Sequence, residues 1–212
     1  MGMSEAFTQA MGRPDPAVPN GLSFTGFLER VWELNADKVG TGFFRDRFLY
    51  LFGEGLEVLR PCLDAWSFLI PPMPNRMIVG RNAYGAIAYV DNPNDTNTRL
   101  YIVDPLTVEL VTDHGLDLWR FIARDLPQDL LGHFLDDSVY RQFVAKNQLG
   151  LELDLALAIK EPLTLGGAME LDNFAVEDIV GYYQSTAPIY AKGMDEIKKS
   201  AAKKRPRKKK PE

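Results

Sequence analysis

Cysteine and histidine are scarce in this sequence, which has one cysteine and two histidines among its 212 residues. A lone cysteine, Cys62, cannot form an internal disulfide, which suits a reducing compartment. Neither His114 nor His133 lies in a run of Cys, Asp or Glu at the spacing of metal ligands. We therefore expect no metal or other cofactor, and we interpret Cys62 as a small buried apolar residue and both histidines as surface or turn residues.

Recognisable catalytic motifs are also lacking. The sequence contains no Gly-x-Ser-x-Gly of a serine nucleophile, no phosphate-binding glycine loop and no dinucleotide-binding fingerprint. Gly166-Gly167 precedes a predicted helix, but no Lys or Ser/Thr follows to complete a phosphate site. The pairs Asp136-Asp137 and Glu177-Asp178 could act as general acid and base, although adjacent acids at a helix start more often interact with solvent and the helix dipole. The sequence thus predicts a protein that is not an enzyme and has no catalytic residues.

Long apolar runs are absent as well, since none approaches the roughly 18 residues that a membrane-spanning helix needs. Residues Met1 to Gly21 lack the basic start and the apolar run of a secretory signal. This segment contains three prolines and few apolar residues, so we expect a flexible leader. Together with the single cysteine, these features lead us to expect a cytoplasmic protein.

Charge is distributed unevenly along the chain. The net charge is −5, but residues 198–212 hold nine basic residues and one acid, whereas residues 1–197 hold 15 basic and 28 acidic residues. An acidic body repels nucleic acid and attracts basic partners, although many proteins are acidic for solubility alone. Because the like charges of the tail repel one another, we expect the tail to be disordered.

The basic tail supports a second interpretation of function, that of a nucleic-acid-associated or regulatory protein. Its cations could contact nucleic-acid phosphates without reading sequence, match a nuclear address, or only keep the chain soluble. No aromatic residue interrupts the run, so the tail offers no stacking on bases. The residues that would contact nucleic acid are Lys203, Lys204, Arg205, Arg207, Lys208, Lys209 and Lys210.

The centre of the chain has the spacing of an antiparallel meander, in which short apolar runs alternate with turn residues about every ten positions. The runs are Met77–Val79, Ala86–Val90, Leu100–Val103 and Val108–Val111. Helical spacing precedes them after Ser23 and follows them over Leu116–Leu126 and Phe134–Val144. The alternating run Leu151–Ile159 predicts a further strand, although its Leu, Ala and Glu also favour helix. We therefore predict an α+β fold, with helices packed on a central sheet of about four strands.

A double glycine dominates the C-terminal part of the chain. Pro162–Gly167 has the pattern of a short apolar strand that runs into two glycines. Asp172 or Asn173 can then cap a helix, which should kink or restart at Pro188 and stop at Gly193. The sequence thus predicts a strand–Gly-Gly–helix unit that serves as a structural signature.

Four short motifs lie between about Met77 and Tyr190. They are Arg81-Asn82-Ala83-Tyr84-Gly85, Gln148-Leu149-Gly150, Pro162-Leu163-Thr164-Leu165-Gly166-Gly167 and Leu171-x-Asn173-Phe174-x-Val176. The first motif resembles the turn between two central strands of a known family, and the second resembles the Leu-Gly that precedes a glycine-rich strand in that family. The third resembles that strand itself, and the fourth resembles the segment that leads into the last helix. The family comprises the type VI secretion immunity proteins that pair a GAD-like region with a C-terminal immunity domain of the DNase-immunity type. The chain departs from the family at Leu155–Glu161, which replaces an acid-aromatic-glycine segment, and in its basic tail.

The resemblance implies a protein that binds a co-encoded antibacterial toxin, often a nuclease, and blocks it by stoichiometric binding. Between the flexible leader (1–21) and the disordered tail (198–212), which composition and charge predict, the resemblance implies a GAD-like region (22–130) and an immunity-type region packed on it (131–197). An acidic surface could occupy the basic groove of a nuclease, and it would speed association. The acids that we expect to contact the toxin, each of which could instead be a cap or a solvated charge, are Asp113, Asp117, Asp136, Asp137, Asp172, Glu177 and Asp178. The residues of the structural signature are Pro162, Leu165, Gly166 and Gly167.

Overall fold

A computed structural model describes residues 3–72, 75–93, 98–111 and 117–204. These residues form six α-helices and eight β-strands, so the fold is α+β, as the sequence predicts. A π-helical turn over Phe121–Asp125 continues the fourth helix. The helices are α1 (Met3–Met11), α2 (Gly26–Val39), α3 (Arg60–Ala65), α4 (Leu118–Arg120), α5 (Ser138–Asn147) and α6 (Ile179–Lys204).

Six of the strands form one sheet in which each strand pairs antiparallel with the next along the chain. This confirms the predicted meander, and the four predicted runs are its last four strands. Residues 42–51, which precede them, add two further strands, so the sheet is larger than expected. The strands are β1 (Gly42–Phe44), β2 (Leu49–Leu51), β3 (Arg76–Asn82), β4 (Ile87–Asp91), β5 (Leu100–Asp104) and β6 (Glu109–Val111).

Helices cover both faces of the sheet and create two hydrophobic cores. Along β4, Ala88 and Val90 belong to the first core, which α1, α2 and α5 complete, whereas Ile87 and Tyr89 belong to the second core, which α3 and α6 complete. Strands buried on both faces have continuous apolar sequences, which explains why the central runs do not alternate with polar residues. Residues from 22–130 and from 131–197 contribute to both cores, so the two predicted regions pack together. The boundary between them stays a prediction.

The expected flexible leader is wrong for residues 3–21. Helix α1 buries Phe7 completely in the first core, where its ring lies 5.6 Å from the ring of Phe44. The segment after α1 pairs with the edge of the sheet through isolated bridges from Ala17 to Gly42 and from Asn20 to Gly53. The burial of Phe7 therefore outweighs the low apolar content of the segment, because burial of an aromatic side chain stabilises the folded state.

The C-terminal part is a β-hairpin followed by a long helix. Strand β7 (Leu155–Ile159) pairs antiparallel with β8 (Phe174–Asp178), and α6 begins directly after β8. The predicted cap at Asp172 or Asn173 is therefore wrong, since both precede β8. The side chain of Asp178 instead accepts a hydrogen bond of 2.6 Å from the backbone N–H of Gly181 in the first turn of α6.

Helix α6 continues through Pro188 and Gly193 to Lys204, so the predicted restart and stop are wrong. Its Tyr183 and Tyr190 rings pack on Trp66 of the second core at centroid distances of 4.7 and 5.6 Å. This packing outweighs the local preference of proline and glycine. The backbone of residues 198–204 is helical, which corrects the expected disorder there, whereas residues 205–212 lie outside the described residues. Within the described ranges, no helix has both the length and the apolar character needed to cross a membrane.

Candidate functional site

The turn between β3 and β4 anchors the C-terminal hairpin to the sheet. Asn82 is fully buried, and its side-chain oxygen accepts hydrogen bonds from the backbone N–H groups of Tyr84 (3.1 Å) and Ala86 (2.9 Å). Its side-chain amide donates to the carbonyl of Phe134 at 3.2 Å. Gly85 has a φ of +87°, a conformation that glycine adopts without steric cost. One asparagine and one glycine thus define this turn.

Strand β7 and helix α6 bind to the same turn. The N–H of Leu157 donates to the carbonyl of Ala83 at 2.7 Å, and the hydroxyl of Tyr183 donates to the carbonyl of Gly85 at 2.8 Å. The guanidinium of the buried Arg81 donates to the carbonyl oxygens of its neighbour Asn82 and of Glu152. Burial lowers the pKa of Arg81 to about 10, which leaves it protonated at neutral pH. The hairpin is therefore held in a fixed position by hydrogen bonds along its inner side.

Tyr84 completes this anchor from the first core. Its hydroxyl accepts a hydrogen bond of 3.1 Å from the N–H of Tyr140, and its ring lies 5.4 Å from those of Phe48 and Phe174. Burial raises the pKa of Tyr84 above its ordinary value, so the hydroxyl stays protonated at neutral pH. The resemblance motif Arg81–Gly85 therefore contains buried, hydrogen-bonded residues with a structural task.

The signature Pro162–Gly167 is a tight turn inside the hairpin, so the predicted short strand is wrong. Leu163–Leu165 forms a 3₁₀ turn after the buried Pro162. The N–H of Leu163 donates to the carbonyl of Leu106 at 2.8 Å, and the hydroxyl of Thr164 donates to the carbonyl of Thr107 at 3.1 Å. These bonds attach the turn to the loop between β5 and β6.

Both glycines of the signature are required by the geometry. Gly166 has a φ of +106°, and a Cβ atom at Gly167 would overlap the carbonyl oxygen of Glu161. The turn also leaves Leu165 61% exposed. The Gly-Gly pair thus reverses the chain between β7 and β8, and it does not lead directly into the helix.

The hairpin exposes many more acidic than basic side chains. We define the acidic hairpin as residues 152–178, which expose seven carboxylates and a single basic side chain, that of Lys160. Lys160 donates to the backbone carbonyl of Asp172 at 2.7 Å, and Arg47 of the β1–β2 turn pairs with Glu152 at 2.5 Å. The exposed acids are Glu152, Asp154, Glu161, Glu170, Asp172, Glu177 and Asp178.

Three of the acids expected to bind a toxin lie on this hairpin. Asp172, Glu177 and Asp178 are all exposed, and Asp178 also caps α6. Asp172 lies in a 3₁₀ turn and Glu177 in β8, so neither is at a helix start as the sequence suggested. The structure brings these three residues into one unit with four further acids.

The remaining expected acids that the structure describes, Asp117, Asp136 and Asp137, lie elsewhere and have local partners. Asp117 caps α4 by accepting from the N–H of Arg120 at 2.7 Å, and Asp136 accepts from the N–H of Ser138 at 3.0 Å. Asp137 is buried and pairs with the guanidinium groups of Arg141 at 2.8 Å and Arg45 at 3.5 Å. Asp113 lies outside the described residues. Asp117 is therefore a cap, as one alternative suggested, whereas Asp137 is a buried, paired charge and not a solvated one.

Candidate catalytic and metal-binding residues do not form a cluster in the described part of the chain. Burial raises the pKa of the Cys62 thiol to about 12, with a smaller contribution from the negative charge of Asp178, so this thiol is unreactive at neutral pH. His133 is exposed in a 3₁₀ turn, and His114 lies outside the described residues. Among the residues described, no three of His, Cys, Asp and Glu come together as metal ligands would. The expected absence of enzyme activity stays a prediction.

The basic tail is described only at its start. Lys203 and Lys204 belong to the last turn of α6, whereas Arg205, Arg207, Lys208, Lys209 and Lys210 lie outside the described residues. Contact of these residues with nucleic acid stays a prediction.

Sequence reasoning missed two exposed apolar side chains, Leu165 and Ile189. Leu165 was assigned to a structural signature. Ile189 lies outside the apolar stripe that helical spacing predicts for the last helix, which consists of Val176, Ile179, Val180, Tyr183, Ala187 and Tyr190. Their exposed fractions are 61% and 64%, and both line the same surface groove. The available signal was the position of Ile189 off the helical stripe, because an apolar residue off the buried face has to lie on the surface or at an interface.

Comparison with known proteins supports the fold alone. No family model matches the chain, and no curated protein matches it. Among solved structures, the chain is similar to one described as "Crystal structure of Atu4351 from Agrobacterium tumefaciens", with a TM-score of 0.50 and 14% sequence identity. The match covers 86% of this chain and 87% of that chain. The similarity therefore extends over most of both chains and shows a shared α+β architecture.

Proposed function

We propose that this chain is an immunity protein that binds and neutralises a cognate secreted antibacterial toxin, a nuclease, in the cytoplasm by one-to-one inhibition. The observation that carries the proposal is the acidic hairpin, with seven exposed carboxylates against one exposed base. The hairpin also contains the Leu-Gly-Gly motif by which the sequence resembles such immunity proteins.

Electrostatics connects this surface to a nuclease. Nuclease active sites are basic because they bind phosphates, so an array of carboxylates can take the place of the nucleic-acid backbone. Complementary charge also raises association rates by about 10- to 1000-fold at low ionic strength. Fast association matters for an inhibitor that must reach a toxin before the toxin cleaves its substrate. Inhibition by occupation needs no catalytic residue on the inhibitor.

The anchoring of the hairpin favours a binding role. The hydrogen bonds from Leu157 to Ala83 and from Tyr183 to Gly85 fix the hairpin on the sheet, so the backbone that carries its carboxylates has a defined position before binding. A preorganised surface loses little conformational entropy on association. Asp172 and Glu177 are the best contact candidates, because their side chains are exposed and neither caps a helix.

Co-expression of the full chain with the toxin encoded by the neighbouring gene tests the proposal. Cells that produce the toxin alone should lose viability, and cells that also produce this chain should survive. With purified proteins, nuclease activity should fall linearly and reach zero at equal molar amounts, as tight stoichiometric binding requires. Equal killing with and without the chain, or residual activity that does not depend on its concentration, would contradict the proposal.

A further inference from the structure

An apolar groove lies beside the last strand of the sheet. Strand β6 forms one side of it, α6 forms the other, and the signature turn and Leu69 close its ends. We call it the β6–α6 groove. Its volume is about 620 Å³, and its principal lining residues are Glu109, Leu110, Leu165, Ile189, Tyr190 and Met194.

The groove exposes apolar surface that a folded chain would normally bury. Leu165 is 61% exposed on one wall, and Ile189 is 64% exposed on another. Tyr190 is nearly buried beneath them, and its ring packs on Trp66 of the second core at 5.6 Å. The groove is therefore an opening of the second core towards solvent. Apolar surface of this kind, bordered by polar residues, is typical of interaction sites.

The double-glycine turn holds Leu165 at this wall. The bonds from Leu163 to Leu106 and from Thr164 to Thr107 fix the turn against the β5–β6 loop, and Gly166 and Gly167 permit the chain reversal that follows. A turn that only reversed the chain would not require an apolar side chain pointing into solvent. The signature therefore presents Leu165 as part of a surface.

Strand β6 lies at the edge of the sheet next to this surface. It is the last strand in the sheet order, and among the described residues no other strand pairs with its outer edge. Glu109 and Val111 are exposed and Leu110 is half-buried between them. An open edge beside an apolar groove is the arrangement in which extended peptides add as a further strand, with alternate side chains entering the groove.

Charge defines the chemistry of the occupant. Among the described residues that line the groove, Glu109 is the one that carries a charge, and the signature turn belongs to the acidic hairpin. An occupant that is apolar at alternate positions and carries Lys or Arg opposite Glu109 would satisfy both features.

We propose that the β6–α6 groove binds an extended, apolar segment of the toxin, which adds to β6 and places a basic residue against Glu109. This assignment rests on the proposed function and names the second surface by which the inhibitor holds its target. The acidic hairpin accelerates the encounter, and the groove slows dissociation, since steering acts on the association rate and apolar anchors act on the dissociation rate.

Substitutions in the full chain test the groove against a matched control. The variants Leu165→Asp and Ile189→Asp place a charge in the groove, and Leu34→Asp places one on α2, where Leu34 is 71% exposed. All three sites are exposed, so all three variants should unfold at the wild-type denaturant midpoint.

The binding partner is the inactivated toxin encoded beside this gene, and its binding is measured by surface plasmon resonance. Each groove variant should raise the Kd by about 30-fold or more, mainly through faster dissociation, as loss of a central apolar anchor does. The Kd of Leu34→Asp should stay within about threefold of the wild-type value. The Kd of Glu109→Lys should rise by an amount between that of Leu34→Asp and that of the groove variants.

The outcomes separate this inference from the proposed function. A wild-type chain that does not bind the toxin overturns the proposed function and the groove assignment that rests on it. A wild-type chain that binds, with groove variants that bind equally well, overturns the groove assignment alone. A wild-type dimer that Ile189→Asp converts to a monomer, with unchanged toxin affinity, means that a second copy occupies the groove and also overturns the assignment.

Discussion

The six-stranded sheet and the acidic hairpin use their side chains in opposite ways. Within the strands β2, β3, β4 and β5 nearly every residue is buried, and helices cover both faces of the sheet. The hairpin buries the inner residues of β7, whereas most of β8 and the connecting turn face solvent with carboxylates and the exposed Leu165. Substitutions in the sheet should therefore change stability, and substitutions on the outer hairpin should change binding.

The two regions meet at a small number of hydrogen bonds. Asn82 shapes the β3–β4 turn, and that turn accepts hydrogen bonds from β7 and α6. These hydrogen bonds thus hold the acidic hairpin on the sheet, while the outer side chains of the hairpin make few contacts within the protein. This separation allows the exposed side chains to change without loss of the fold.

Thiol reactivity should show the largest difference between the regions. Because burial raises the pKa of Cys62 to about 12, its thiolate fraction near pH 8 should be about a thousandfold lower than in the unfolded chain. We expect its reaction with Ellman's reagent to slow by at least that factor in the native protein. A cysteine placed at Leu165 in a Cys62→Ser background should react at close to the unfolded rate. Similar native rates at the two positions would contradict the distinction.

Removal of one aromatic side chain should separate the regions by stability. Trp66 is fully buried, and its indole N–H donates to the carbonyl of Tyr183 at 3.1 Å. Trp66→Ala should lower the free energy of unfolding by about 3–5 kcal/mol. Val176→Ala, at a 45% exposed position of β8, should cost less than about 1 kcal/mol. Urea unfolding followed by circular dichroism measures both, with Trp66→Phe as a milder core variant, and equal losses at the two positions would be inconsistent with this account.

Two asparagines that make similar turns provide a closer comparison. Asn82 is fully buried and makes three side-chain hydrogen bonds, so Asn82→Ala should cost about 3 kcal/mol by leaving buried groups unpaired. Asn173 is half-buried, and its side chain bonds to Glu161 and Ala168 in the hairpin. Because water can replace these bonds, Asn173→Ala should cost about 1 kcal/mol. Chemical denaturation of both variants tests the ranking, and a larger loss at Asn173 would reverse it.

Charge reversal on the hairpin should have the smallest effect on stability. Glu170, Asp172 and Glu177 are exposed, so their replacement by Lys should change the free energy of unfolding by less than about 0.5 kcal/mol for each residue. Asp178 is omitted because it caps α6, and its loss would cost about 1 kcal/mol. Thermal unfolding of the triple variant measures the effect, and a cooperative loss of structure would mean that these carboxylates support the fold.

The sequence predicts the sheet well and its surroundings less well. Strands β3 to β6 could be recognised because turn residues such as Asn92 and Pro105 interrupt apolar runs at regular spacing. Helix α1 could not, since Phe7 and Met11 are isolated in a polar, proline-containing segment. Their burial depends on a pocket made by distant residues, and local composition does not encode such a pocket.

The candidate site was predicted in part for the same physical reason. Asp172, Glu177 and Asp178 were identified as exposed acids, but β8 was assigned to the helix because strand and helix meet at Ile179 without a loop. Acids at 172 and 178 have equal capping propensity, and only the fold decides that Asp178 is the cap. The exposure of Leu165 could not be predicted, because a leucine beside a double glycine fits a buried turn equally well.

The association rate of the hairpin variant with the toxin tests the central claim most directly. Glu170→Lys/Asp172→Lys/Glu177→Lys is compared with Glu29→Lys/Glu33→Lys/Asp37→Lys, which makes the same charge change at exposed positions of α2. Stopped-flow association with the inactivated toxin at low salt should be about tenfold or more slower for the hairpin variant and within about threefold of wild type for the α2 variant. High salt should abolish the difference by screening. Equal association rates for the two variants would show that the acidic hairpin is not the surface that meets the toxin.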